Sequence, residues 1–322
     1  MNRENPGVVA TALICFGLIV CVLWVYYGAV FGEEEPEKKK EISVVLYQAG
    51  DDGWESLMEG MRQAEDDFSV NINYVTMKEG MTGEEQLELV RREIENRAQG
   101  VLLAVADSGV MPQEIQSIGI QVPIVTVESN ADAASYAFFS ADNAEMGRTL
   151  GEEILKDFQG SGKLKIAVVE EYMERSSVRE RAEGLYEALG SEVELITLQR
   201  NDDRIEMVKF LENALNRTDV DAVVALSKES LQALCKIKSD ILADKKIYGI
   251  GNDASIVAAL DKGEIEKLVF QNEFNIGYLS VEALLKEIDG IKKEVEEIDF
   301  YCVGKEDIHE TQYERLLFPI VE

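Results

Sequence analysis

The chain has 322 residues and a net charge of −30, from 62 acidic and 32 basic side chains. That balance excludes nucleic acid as a partner, because affinity for it comes from neutralising phosphates with Lys and Arg. With four cysteines, two of them within the first 21 residues, the fold must rest on a hydrophobic core rather than on a disulfide framework.

Val8 to Phe31 carries no charged side chain over 24 residues and is flanked by Arg3 and by "EEEPEKKK". Such a run is long enough to cross a bilayer. An uncleaved membrane anchor fits it better than a signal peptide, whose apolar core is usually about 7 to 15 residues. Cleavage after Gly32 is the alternative, and lipidation at Cys21 is disfavoured by Val20 before it. Residues 1–32 are therefore read as anchor or signal segment and 33–41 as a solvated linker.

From Glu41 onward short β-rich runs alternate with helical periodicity. "ISVVLY" precedes a helix carrying Trp54, Leu57, Met58, Met61, Ala64 and Phe68, and "VNINYVT" precedes one carrying Leu87, Val90 and Ile94. "GVLLAVA" and "VPIVTV" complete a set that predicts a parallel sheet. After "YAFFSADN" a second set opens with a helix through Met146, Leu150, Ile154 and Phe158, followed by "LKIAVVE", "SSVRERAEGL", "EVELITL", "DAVVALSKES" and "KKIYGIGND". The fold class is α/β, with two similar doubly wound parallel-sheet domains and the later strands "KLVFQ" and "EIDFYCV" crossing between them.

Ligands of open α/β sheets bind beyond the carboxyl ends of the strands. Strand-end candidates are Asp51, Asp52 and Trp54; Asp107; Glu128 and Ser129; Ser176 to Arg181; Asn201 to Asp203, which includes Asp202; Ser227; Asn252 and Asp253; and Gln271 with Asn272. Trp54 also fits the apolar stripe of its helix, and Asp51, Asp202 and Asp253 fall where turns and helix caps recruit Asp. Gln271 follows the apolar "KLVF", where a polar side chain must find a partner.

Catalytic signatures are missing. The single histidine, His309, lies far from every strand end, and neither a Gly-x-Ser-x-Gly elbow, a phosphate-binding loop nor a Cys/His metal set occurs. Gly249 to Ala254 matches G-x-G-x-x-A, but too late in the chain for a dinucleotide fingerprint, so a tight strand-to-helix turn is expected. The sequence predicts no enzyme, no cofactor and no metal site.

Taken in order, "ISVVLY…WESLMEG", "QGVLLA", "VPIVTVES", "SADNAEMG", "SSVRERAEG", "DAVVALS", "YGIGND", "ALDKGEIEKLVFQNEFNIG" and "YCVGKEDI" extend from Ile42 to about Glu306. This stretch resembles the type I periplasmic sugar-binding proteins, with the ribose-binding proteins as the nearest model. The resemblance implies one subdomain from 42–141 and 273–301, a second from 142–272 and 302–322, and a three-segment hinge that closes over a small polar ligand. It also implies an extracytoplasmic location, with delivery to an ABC permease, or presentation to a histidine kinase or chemoreceptor as the alternative. Lactose-repressor-type regulators share the architecture but carry a DNA-binding headpiece where this chain has its apolar run.

Carried over by motif, Trp54 matches the stacking aromatic, Arg181 the ligand-binding arginine and Gln271 the glutamine of the crossing strand, with Asp51 in place of the first-loop amide. The Asp-Arg pair of ribose-binding proteins is here Glu128 and Ser129, so a second arginine clamp is missing. The second-domain aromatic falls at Asp202, the asparagine at Ser227, and the aspartate at Gly251, beside Asn252 and Asp253. An acidic site with one arginine suits a hydroxyl-rich ligand, or a cationic one held against Trp54. Within "SSVRERAEGL", Ser177 and Glu180 match a capping box. Arg181 is then the ligand contact, Arg179 a rim or surface residue, and Arg181 or Trp54 is expected to be replaceable by Ala with little change in ligand-free stability.

Overall fold

Each set of β-rich runs pairs within itself in the computed structural model, which describes residues 15–24, 26, 39–48, 53–78, 80–109, 112–119, 121–131, 137–160, 163–191, 193–200, 204–291 and 296–317. Strands β1 (Glu41–Leu46), β2 (Asn71–Thr76), β3 (Gly100–Leu103), β4 (Ile124–Val127) and β5 (Phe138–Phe139) form a parallel sheet in the order β2-β1-β3-β4-β5. Its register sets Val44 opposite both Tyr74 and Leu102. β3 and β4 are buried at every position, as runs covered on both faces must be. Helices α1 (Glu55–Asp67), α2 (Gly83–Glu95) and α3 (Pro112–Gly119) belong to this half.

The second sheet joins β6 (Lys165–Val169), β7 (Glu194–Leu198), β8 (Ala222–Ala225), β9 (Lys246–Ile250), β10 (Lys267–Gln271) and β11 (Phe300–Val303), in the order β11-β10-β9-β8-β6-β7. Its helices are α4 (Asn143–Asp157), α5 (Ser176–Leu189), α6 (Met207–Leu215), α7 (Lys228–Cys235), α8 (Ser239–Leu242) and α9 (Ala254–Lys262). Helix α10 (Glu273–Ile288) returns to pack on β3, β4 and α1 of the first sheet, and α11 (Thr311–Leu317) closes the described chain.

"KLVFQ" and "EIDFYCV" do not cross between the domains as expected. Both lie in the second sheet, where β11 runs antiparallel to β10 with Gln271 opposite Phe300. The reason is the path of α10: the chain leaves the second sheet at the carboxyl end of β10 and re-enters there, so β11 must run backwards. Connections between the halves therefore fall at 139–143, 271–273 and 288–300.

Two helix pairs set the shape of the halves, and glycine makes both possible. A Cβ on Gly60 of α1 would lie 2.0 Å from the Phe274 carbonyl oxygen of α10, and one on Gly184 of α5 would lie 1.8 Å from that of Ala144 in α4. The backbones meet because the side chain is missing, and this anchors the starts of α1, α5 and α10 near the strand ends.

The capping box at "SSVRE" does not form. Helix α5 begins at Ser176 with Arg175 in the cap position and no side-chain cap bond, and Ser177 Oγ has no hydrogen-bond partner among the described residues. Ser176 Oγ is instead engaged by the backbone N–H of Asn130, so a contact with the other half outweighs the local motif. The stripe of Val178, Ala182, Leu185 and Leu189 is buried as expected, and Arg179 is half-buried.

Of the apolar run 8–31, residues 15–24 and 26 are described; they are helical and exposed. Among the described residues no helix is long and apolar enough to cross a membrane. By contacts, Met1–Lys39 forms one unit and Lys40–Glu322 another.

Gly184→Ala is expected to destabilise the protein by roughly 1–3 kcal/mol or more, since backbone and not a flexible side chain blocks the added methyl; urea denaturation measures it. Burial pushes the thiols of Cys235 and Cys302 up to about 12. Both should react with iodoacetamide at pH 8 more than about 100-fold slower than in the urea-unfolded chain, as read by peptide mass spectrometry.

Candidate ligand-binding site

The carboxyl ends of β1 and β4 face those of β6, β8 and β10 across a cavity of about 30 Å³, room for one or two water molecules. The first half lines it with Tyr47, Trp54, Glu128 and Glu273, the second with Arg175, Ser177, Arg181, Ser227, Lys228, Glu229 and Gln271.

Glu128 is the centre of the polar network. It follows β4 with φ 61°, a left-handed conformation that a non-glycine residue adopts only under constraint. Its carboxylate accepts from Arg181 Nη2 at 2.6 Å and from Gln271 Nε2. Arg181 also donates from Nε to Asn143 Oδ1 at 2.8 Å and from Nη1 to the Leu226 carbonyl at 3.3 Å. The other end of Gln271 accepts from the backbone N–H of Ala141 at 2.9 Å and from Ser140 Oγ at 3.3 Å. Two of the three connections between the halves, at 139–143 and 271–273, are thus tied to one carboxylate.

Two further cations reach across. Lys228 Nζ donates to the Gly53 carbonyl at 2.9 Å and to Glu273 at 2.7 and 3.0 Å. Burial raises the Glu273 carboxyl above the usual range, and Lys228 pulls it back. Arg175 pairs with Glu229 at 2.5 Å and lies 3.8 Å over the Tyr47 ring. Its burial favours proton loss, but the attractions around it, that of Glu229 foremost, together hold the guanidinium above its ordinary pKa. Burial likewise pushes the Tyr47 phenol well up, and Tyr172 up to about 12, so both rings stay neutral. Trp54 is half-buried, edge-on to Tyr47 at 4.8 Å, and its indole N–H is taken up by the Tyr47 carbonyl at 2.7 Å.

Among the sequence candidates, Trp54, Glu128, Ser177, Val178, Arg181, Ser227 and Gln271 therefore meet in one cavity. Ser227 is also the cap of α7, accepting from the Ser230 N–H at 3.2 Å. Asp253 is drawn away by capping: it accepts from the N–H groups of Ser255 and Ile256, and from Gln232 Nε2 at 2.5 Å, and does not line this cavity. Asn252 lines a neighbouring pocket of about 290 Å³ that also touches Gln271 and Glu273. Asp51 and Asp202 lie outside the described residues.

Sequence reasoning missed Tyr47, Arg175, Lys228, Glu229 and Glu273. Each adjoins a strand end or a helix start already singled out. Extending those windows by one or two residues would have found all but Tyr47, which lies four residues before Asp51.

A family model described as "Periplasmic binding protein domain" matches residues 42–292. The chain belongs to the periplasmic binding protein family. Its type I fold is shared with a carbohydrate transporter solute-binding protein from Agrobacterium radiobacter in complex with D-arabinose, at TM-score 0.79 and 16% identity over 87% of this chain and 99% of that one. The glucose-galactose binding protein GanP from Geobacillus stearothermophilus matches at TM-score 0.72 and 18% identity, over 84% and 100%. So does a XylFII–LytSN complex, at TM-score 0.72 and 20% identity, over 83% and 99%. No curated protein sequence matches.

This geometry revises one expectation for the periplasmic binding protein. Arg181 and Glu128 are 5% and 12% exposed at the side chain, so removing the arginine leaves a buried carboxylate without its cation. Arg181→Ala is predicted to reduce ligand-free stability by about 3–5 kcal/mol, measured by urea denaturation, rather than to leave it unchanged.

Proposed function

We propose that the protein is an extracytoplasmic solute-binding protein that closes two domains over a sugar or similar small polar molecule and delivers it to an ABC transporter. The domains are 42–141 with 273–301, and 142–272 with 302–322, apart from Phe300 and Tyr301, which pair within the second sheet. The observation that carries this reading is a cavity lined from both halves at their strand ends, with an aromatic pair on one wall and three cation–carboxylate pairs around it. Hinge closure in such a design draws its free energy from contacts made only when both domains touch the ligand.

Charge balance narrows the ligand. Arg175, Arg181 and Lys228 face Glu229, Glu128 and Glu273, so the described wall has no carboxylate left over for an amine and no cation left over for a phosphate. A neutral, hydroxyl-rich molecule exchanges hydrogen bonds with such pairs without stranding a charge. D-Arabinose in one structural neighbour and glucose and galactose in another have this chemistry.

Residues 8–31 act as a membrane anchor in this reading, with the binding domains on the extracytoplasmic side. An anchored receiver also suits a sensor that presents its liganded form to a histidine kinase or chemoreceptor; one structural neighbour, XylFII, was itself solved in complex with a second protein, LytSN. Permease and ATPase genes beside this one support delivery; kinase and regulator genes support sensing.

A thermal-shift panel on the full-length protein in detergent tests the core of the proposal. At 10 mM, at least one of D-arabinose, D-fucose, D-allose, D-glucose and D-galactose is expected to raise Tm by several degrees, while spermidine and glucose 6-phosphate do not. The bound sugar should be recovered unchanged. Stabilisation by no sugar would sink the reading.

A further inference from the structure

Arg175 has a role that neither the family motif nor the functional reading assigns. It stands at the carboxyl end of β6, one residue before α5, with its side chain 7% exposed. A guanidinium so buried needs pairing and hydrogen bonds to be tolerated. Arg175 has more than an ion pair: it is held between two rings, Tyr47 of the first half at 3.8 Å and Tyr172 of the second at 4.2 Å. Tyr172 adopts φ 64°, a strained conformation for an aromatic residue, in a turn closed by the Arg175 N–H on the Tyr172 carbonyl at 3.0 Å. Backbone strain is thus maintained where it seats a ring against this one cation.

The fork of Arg175 is only partly used. One Nη donates to Glu229 at 2.5 Å and the other to the Gln48 carbonyl at 3.4 Å, but the buried Nε has no hydrogen-bond partner among the described residues. Ser177 Oγ, fully buried two residues on, has none either. Both residues line the cavity that Trp54 lines. A buried donor without an acceptor is strongly disfavoured, more so on a charged group, so two such atoms at one cavity point to a ligand that supplies the missing partners. In Arg181, by contrast, each of the three nitrogens has a partner, in Asn143, Leu226 and Glu128.

We propose that Arg175 is a specificity-determining ligand residue, its Nε donating to one oxygen of a neutral polyol while Ser177 Oγ exchanges a hydrogen bond with another hydroxyl of the same molecule. The arginine clamp that Glu128 and Ser129 displace from the first domain is, on this view, supplied from the second. The contacts to Tyr47 and the Gln48 carbonyl fix the guanidinium plane only when the halves are together, which couples recognition to closure. The proposal rests on the reading of the cleft as a sugar site, and its test separates the two.

The affinity of the full-length protein for D-arabinose, D-glucose and D-galactose is measured by titration calorimetry, for wild type and for R175K. Lysine keeps a cation beside Glu229 but has neither Nε nor a plane to stack. R175K is expected to bind the preferred sugar at least 10-fold more weakly, the effect of losing a charge-assisted hydrogen bond. Monodeoxy analogues of that sugar then supply a readout that a purely structural role would not move. One analogue should lose about 10-fold against wild type and nothing further against R175K. If R175K fails to fold, R175M/E229L removes the charge together with its partner and is titrated in the same way. Equal affinity in variant and wild type, or the same deoxy losses in both, overturns the inference and leaves sugar binding intact. A wild type that binds none of the three overturns the functional reading and this inference with it.

Discussion

A buried carboxylate shared between two donors from the opposite half holds the site together. Glu128 lies at the end of β4, and Arg181 and Gln271 reach it from α5 and from the end of β10. Removing both charges of the Glu128–Arg181 pair from water is expensive, and the attraction compensates only where geometry and additional hydrogen bonds are good. Asn143, Leu226, Ala141 and Ser140 supply those bonds. The strained backbone of Glu128 persists because this surrounding network determines where its side chain must be.

That network can be so specific because the helices carrying it are rigidly placed. α1 and α10 meet at Gly60 and Gly277 in one half, and α4 and α5 meet at Gly147 and Gly184 in the other. Near-contact of backbones leaves little freedom to slide, since every displacement collides with a carbonyl oxygen. The starts of α1, α5 and α10, with Trp54, Arg175 and Glu273, are delivered to the cleft accordingly.

The surface and the site obey different electrostatic rules. The chain as a whole carries −30, yet the cleft pairs each described carboxylate with a cation. Exposed charge is screened by water and salt and needs no partner, whereas charge in the cleft does. The residues carried over by motif therefore suggested an acidic pocket with one arginine. Lys228 and Arg175 altered that picture because burial, which composition does not report, decides which charges must be neutralised.

Much of the fold was legible in the sequence because its signals are local. Continuous apolar runs identify strands covered on both faces, 3.6-residue periodicity identifies helices, and the order of strands and helices implies parallel sheets whose carboxyl ends hold the site. Trp54, Glu128, Arg181, Ser227 and Gln271 followed from that rule. Where local and tertiary preferences competed, the local signal misled. Ser177 matched a capping box, but Ser176 was engaged by Asn130 across the cleft, and the helix began earlier. Asp253 stood at a strand end, but the N–H groups of α9 claimed its carboxylate. The antiparallel return of β11, the pairing of Glu128 with Arg181 and the seating of Arg175 on Tyr47 join residues tens to more than a hundred positions apart. The sequence by itself determined the elements and the edge of each sheet that bears the site. Which side chains share the cleft was decided only by tertiary structure, because that depends on distances between elements that no periodicity encodes.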